Sequence, residues 1–234
     1  MARAKAWGFS SWLEIALESP TGGARRKKEM ALLFRALLFA LACSSGSLSL
    51  AETPPTPLSE AAFTAGQTKL RASDLAGART DFMEAVAQSP RHLRYLNALG
   101  LVYLRTNEGE LAAKTYEFSC ALTAEDYGAN GARLSACYTL WANALLLKKD
   151  LPDAAVKFKS AFAASCSQEP TPVQDCLMVL YSLSRVLAAM GSLPEVAEFY
   201  EQLVAGIPAT SPMRAQADKA LQSVRRGELP QTVY

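Results

Sequence analysis

From residue 59 onward, apolar side chains recur three and four places apart, the spacing of one face of a helix, and polar turns interrupt them at near-regular intervals. Inside that pattern lies a stricter one. Gly66, Ala78, Phe82, Ala85 and Pro90 fall at offsets 0, 12, 16, 19 and 24. Two antiparallel helices approach closely only where small side chains allow it, here at Gly66 and Ala78. Phe82 fills the space beside them, and Pro90 stops the second helix. Such a hairpin cannot bury its own apolar face and needs stacked neighbours.

The neighbours are legible. Residues 93 onward repeat the first helix with Leu96, Leu99, Gly100 and Tyr103, and the second with Gly109, Leu111, Phe118 and Ala121. That second match requires the turn Thr106-Asn107-Glu108 to carry two extra residues. Residues 135–168 supply Trp141, Ala142, Leu145, Leu151, Ala154, Phe158 and Ala161. Residues 177–210 supply Leu180, Leu183, Ser184, Leu187, Leu193, Tyr200 and Pro208, with Val196 where a small residue is expected and a looser crossing to follow. Asp150-Leu151-Pro152-Asp153 recurs as Ser192-Leu193-Pro194-Glu195, each a capping oxygen, a first-turn proline and an acid three residues on. The 42-residue spacing of these two repeats implies a lengthened connection between them.

This order of small, small and aromatic positions resembles the tetratricopeptide repeat over residues 59–210. The resemblance implies an all-α fold: a right-handed superhelical stack of about four helix–turn–helix repeats, 59–92, 93–124, 135–168 and 177–210. A fifth amphipathic segment, 211–226, carries Ala215, Ala217, Ala220, Leu221 and Val224 on one side and Arg214, Lys219, Arg225 and Arg226 on the other. It reads as a C-terminal capping helix, ended by Gly227 and followed by a tail, 227–234.

The front of the chain reads as an address. Arg25-Arg26-Lys27-Lys28 precedes an apolar run over 31–42 that is broken only by Arg35 and followed by a Ser/Gly-rich stretch. Basic, then apolar, then small and polar is the order of a secretory signal. Residues 1–51 therefore form the leader, with Ser49-Leu50-Ala51 before a cut at Glu52; residues 1–29 lie upstream of the true start if that start is Met30. Leu41-Ala42-Cys43 also resembles the end of a bacterial lipoprotein box, so soluble secretion and lipidation at Cys43 both stand as expectations. A Pro-rich linker, 52–58, joins leader and repeats. The leader holds seven basic and three acidic residues, a balance of +4; the rest holds 17 and 19, a balance of −2. The apparent basicity belongs to targeting, and nucleic acid is not an expected partner.

Four cysteines remain beyond Cys43. Under the repeat resemblance, Cys120 and Cys166 lie near the ends of second helices, and Cys137 and Cys176 near the starts of the next first helices. In a repeat stack those ends are neighbours, which implies bridges Cys120–Cys137 and Cys166–Cys176, with four buried thiols as the alternative. No metal or cofactor is expected: His92, read as a helix-start or surface residue, is the only histidine, and no C-x-x-C, phosphate loop or nucleophile elbow occurs. The chain is not expected to be an enzyme.

The resemblance implies a peptide-binding groove along the first helices. Its inward positions in this chain are Phe63, Gln67, Leu70 and Arg71; Arg94, Asn97, Leu101, Leu104 and Arg105; Thr139, Asn143, Leu146 and Leu147; and Met178, Tyr181 and Arg185. Phe63 and Gln67 stand where the chaperone-binding carboxylate clamp of this family needs Lys and Asn. The arginines favour an acidic segment or a free carboxylate. The implied role is an exported adaptor in the periplasm or at the outer membrane, holding another exported or outer-membrane protein; membrane contact would come only through Cys43. Alternatives are a structural spacer or homotypic scaffold, or a secretin assembly lipoprotein of a type IV pilus.

Overall fold

A computed structural model describes residues 54–128, 131–166 and 173–231. They lie in the second of two units of the chain, Ala51–Tyr234. The leader and Cys43 fall outside the described residues.

Among the described residues nine α-helices follow one another: α1 (Pro57–Arg71), α2 (Leu75–Gln88), α3 (Leu93–Arg105), α4 (Gly109–Tyr127), α5 (Ala132–Leu147), α6 (Leu151–Ser165), α7 (Val173–Ala189), α8 (Ala197–Gly206) and α9 (Pro212–Arg225). A 3₁₀ turn, Leu193–Val196, leads into α8. Through α8, odd-numbered helices are the first of each hairpin and even-numbered ones the second. Local chemistry sets their starts. Before α1, the Thr56 hydroxyl accepts from the Ser59 N–H at 3.0 Å while the Ser59 hydroxyl accepts from the Thr56 N–H at 2.9 Å. Asp74 caps α2 through the Gly77 N–H at 2.9 Å, and Asp150 caps α6 through Asp153. Ser192 makes no such bond. Its backbone carbonyl accepts from the Glu195 N–H instead, in the tighter geometry of the 3₁₀ turn.

The same three-residue turn closes every hairpin. Its middle residue has positive φ at Ser73 (60°), Asn107 (61°), Lys149 (65°) and Gly191 (75°). The residue after it donates to a carbonyl five places back: Asp74 to Lys69, Glu108 to Tyr103, Asp150 to Leu145 and Ser192 to Leu187. Thr106-Asn107-Glu108 therefore holds no insertion, contrary to the sequence expectation. The second hairpin keeps the register of the first, with Ala112 and Tyr116 in the places of Ala78 and Phe82, and Ser119 in that of Ala85.

The core is this register repeated. Phe82, Tyr116 and Phe158 are fully buried, and Tyr200 nearly so. Phe82 and Tyr116 sit against Gly66 and Gly100 of their facing helices and Tyr200 meets Ser184, while Ala142 holds the matching repeat position to Phe158; all four small residues are buried. A Cβ on Gly66 would stand 2.6 Å from the Phe82 ring, and one on Gly100 2.7 Å from Tyr116, so both glycines are there for close approach. Val196, in the small-residue row, is fully buried as well.

Tyr116 is imperfectly served. Its hydroxyl is buried with no hydrogen-bond partner, and burial pushes its ionisation well above the ordinary tyrosine value. A buried unpaired hydroxyl costs about 1–3 kcal/mol, so Tyr116→Phe is expected to raise the unfolding free energy by about 1 kcal/mol. Denaturant titration checks this; a loss of stability would show that the hydroxyl is solvated or bonded after all.

The two junctions with 42-residue spacing are bridged by disulfides. Cys120 is joined to Cys137 and Cys166 to Cys176, with Cα atoms 5.5 and 5.7 Å apart. At the first of them the extra length is helix rather than loop. α4 has 19 residues against 14 in α2, and α5 has 16 against 13 in α3. Cys120, Leu134, Cys137 and Ala164 form a buried cluster there, and the Gly131 N–H reaches the Ala164 carbonyl at 2.7 Å.

α9 closes the stack by burying Ala217, Leu221 and Val224 against the last hairpin. Ala215 is exposed and takes no part in that face. Arg214 does not point freely outward: it donates to the Ile207 carbonyl at 2.6 Å and pairs with Asp218. Among the described residues, no helix is long and apolar enough to cross a membrane.

Candidate protein-binding face

Each first helix buries one row of side chains against its hairpin partner and leaves another uncovered. The uncovered row at one helical level is Gln67, Leu101, Asn143 and Arg185; a turn further on come Arg71, Arg105 and Leu147. Gln67 and Leu101 are half-buried, whereas Asn143, Arg185, Arg71 and Arg105 are exposed. Leu70, Leu104 and Leu146 are half-buried beside them. On α7, Met178 is 61% exposed, more than any other large apolar side chain among the described residues, and Tyr181 is half-buried one turn away.

Other expected groove residues are already engaged. Phe63 is core, not surface: it is 3% exposed, with its ring centroid 5.5 Å from Phe82 and 4.9 Å from Tyr95. Arg94 covers that ring, its guanidinium 4.5 Å from the centroid, and pairs with Glu60 at 2.5 Å. The Tyr95 hydroxyl donates to the same carboxylate at 2.7 Å. These two hydrogen bonds, from Tyr95 first and then Arg94, hold the Glu60 carboxyl below its ordinary range. Glu60 occupies the helix level of Arg94 in the preceding repeat and was missing from the sequence-derived set. It adds an acid to a set in which none had been named. The Asn97 side-chain oxygen accepts from Ser119 at 2.8 Å, and the Thr139 hydroxyl donates to the Ser135 carbonyl at 2.9 Å. His92 stands at the start of α3, buried and stacked on Tyr95 with centroids 4.0 Å apart.

One depression opens between successive first helices. It is about 460 Å³ and lies between the N-terminal turns of α3 and α5 and the last turns of α4. Leu93, Arg94, Asn97, Thr123, Tyr127, Arg133, Ala136, Cys137 and Leu140 line it. No carboxylate is among them. Arg133 lies over the Tyr127 ring at 4.3 Å, and the Cys120–Cys137 bridge forms part of the wall. Tyr127 and Arg133 escaped the sequence reading because they sit in the added turns of α4 and α5, to which the repeat numbering assigns no position. Among the described residues, no group of three His, Cys, Asp or Glu side chains could hold a metal.

The pairwise hairpins, recurrent turns and buried small–aromatic rows are shared with solved repeat proteins. A kinesin-light-chain-type protein of Podosopora anserina with nearly identical TPR-like repeats superposes with a TM-score of 0.55 at 17% identity, over 71% of this chain and 85% of its own. The MamA protein superposes at 0.53 with 16% identity, over 73% of this chain and 82% of its own. The chain has the tetratricopeptide-repeat fold. Neither a protein-family model nor a curated protein matches its sequence. Successive first helices also meet one another, α3 lying against α5. The uncovered rows and the depression thus share the first-helix side of the stack.

Proposed function

We propose that the chain is a non-catalytic adaptor that holds a segment of another protein along the inner face of the stack, and that it does so outside the reducing cytoplasm. One observation carries the reading. The first helices complete a buried core on one side, yet leave a second row of mixed character, from Gln67 and Leu101 through Asn143 to Met178 and Arg185, half-buried or exposed among the described residues. Amide, apolar and cationic groups in one channel suit an extended or helical segment, whose backbone can bond to Asn143 while its side chains meet Leu101, Leu147 and Tyr181. The two disulfides support an oxidising location. Export with a retained lipid anchor at Cys43 and release as a soluble periplasmic protein both remain compatible with that location.

Site-specific photo-crosslinking in intact cells tests the reading. A photoreactive residue at Asn143, on the inner face, is expected to capture a discrete protein partner. The same residue at Val156, which is 53% exposed on the second helix α6, is expected to capture none or a different one. Adducts from Val156 alone would transfer the role to the outer surface.

A further inference from the structure

The arginines of the stack divide by location. Arg79, Arg91, Arg94, Arg214, Arg225 and Arg226 each pair with a carboxylate: Glu108, Glu125, Glu60, Asp218, Glu201 and Glu228 respectively. Arg71, Arg105, Arg133 and Arg185 have no carboxylate partner among the described residues. All four lie on first helices, α1, α3, α5 and α7, one per repeat. Of the paired arginines only Arg94 lies on the first helix of a hairpin, and the first helix of each repeat keeps one arginine without a carboxylate among the described residues. Arg71 and Arg105 occupy equivalent places in consecutive repeats. Arg133 stands at the depression between α3 and α5, its guanidinium plane held over Tyr127, with the carboxylate-free lining around it.

We infer that the segment held on this face is acidic, with apolar side chains between its carboxylates. This deepens the adaptor reading and rests on it. A guanidinium fixed over an aromatic ring still presents its N–H edge, and a carboxylate meets that edge with two parallel hydrogen bonds. The depression has room for an aspartate or glutamate side chain to enter beside Asn97. Leu101, Leu147 and Met178 between the cations provide for the apolar residues of the same segment. An anionic lipid surface would also attract arginines, but Arg133 lines a depression, which a flat bilayer cannot enter and a peptide side chain can.

Random short peptides displayed against the oxidised full-length protein test this. The expected selected peptides are enriched in Asp and Glu with interspersed apolar residues. The enrichment should vanish on an Arg71→Glu/Arg105→Glu/Arg185→Glu variant whose thermal melt is unchanged, because these side chains are exposed and unpaired. Replacing the acids of a selected peptide by Asn and Gln should weaken its binding about tenfold, as expected for losing a charged hydrogen-bond pair, and Arg133→Ala should weaken the acidic peptide by a similar factor. Selection of apolar peptides without acids would overturn the acidic assignment while leaving the adaptor standing. Failure to select any peptide, together with an unchanged cellular crosslink from Asn143, would overturn the assignment but not the face. Binding to phosphatidylglycerol vesicles that disappears in the triple variant would assign the cations to lipid instead.

Discussion

Replacing Phe158 by alanine is expected to lower the unfolding free energy by about 3–5 kcal/mol, the range for emptying a fully buried aromatic site. For a domain of this size each kcal/mol shifts the melting temperature by about 2–4 °C, so the midpoint should fall by roughly 10 °C. The reason is positional as well as volumetric. Phe158 has no exposed surface and sits in α6, in the third of four hairpins. Ala154 and Ala161 on the same helix are also fully buried, so no flexible side chain is at hand to refill the space. Because a repeat stack draws stability from nearest-neighbour interfaces, loosening an interior hairpin weakens contacts on both sides. Circular dichroism with thermal and denaturant ramps checks this. A broadened or two-step transition is the expected form; a loss under about 1 kcal/mol would mean that this hairpin contributes little to the stack.

Removing the Cys120–Cys137 bridge as a double serine variant is the second large effect. The bridge spans 17 residues, and a loop of that size is worth about 3 kcal/mol in the chain-entropy account. The cost should be local before it is global. α4 and α5 extend past the repeat pattern at this junction, and the bridge ties the two helices together at the base of those added turns. Hydrogen exchange should accelerate at the end of α4 and the start of α5 first, with α1 and α2 unchanged. Uniform acceleration throughout would show instead that the stack unfolds as a single cooperative unit.

The fold was largely written in the small–small–aromatic order, because close helix crossing tolerates few alternatives at those positions. The second hairpin shows where that reading strays. Phe118 and Ala121 offer the same chemistry as Tyr116 and Ser119 two residues later, so side-chain type alone pointed to a shifted register. The positive-φ turn at Asn107 and the Glu108 to Tyr103 hydrogen bond decide it, and neither leaves a mark in hydrophobic spacing. The candidate face was half legible. Exposed positions such as Asn143, Arg105 and Arg185 follow from helical phase. The burial of Phe63 does not, because it depends on Tyr95 and Arg94 in the following hairpin. The pairing of Arg94 with Glu60 across 34 residues is likewise a product of stacking rather than of local sequence.

The two cysteine bridges each span a connection between hairpins. A protease that severs the chain once between Cys120 and Cys137, and once more between Cys166 and Cys176, produces three pieces that stay linked as one molecule. In a compartment rich in degradative enzymes, that wiring lets the scaffold outlive cuts that would scatter an unbridged array.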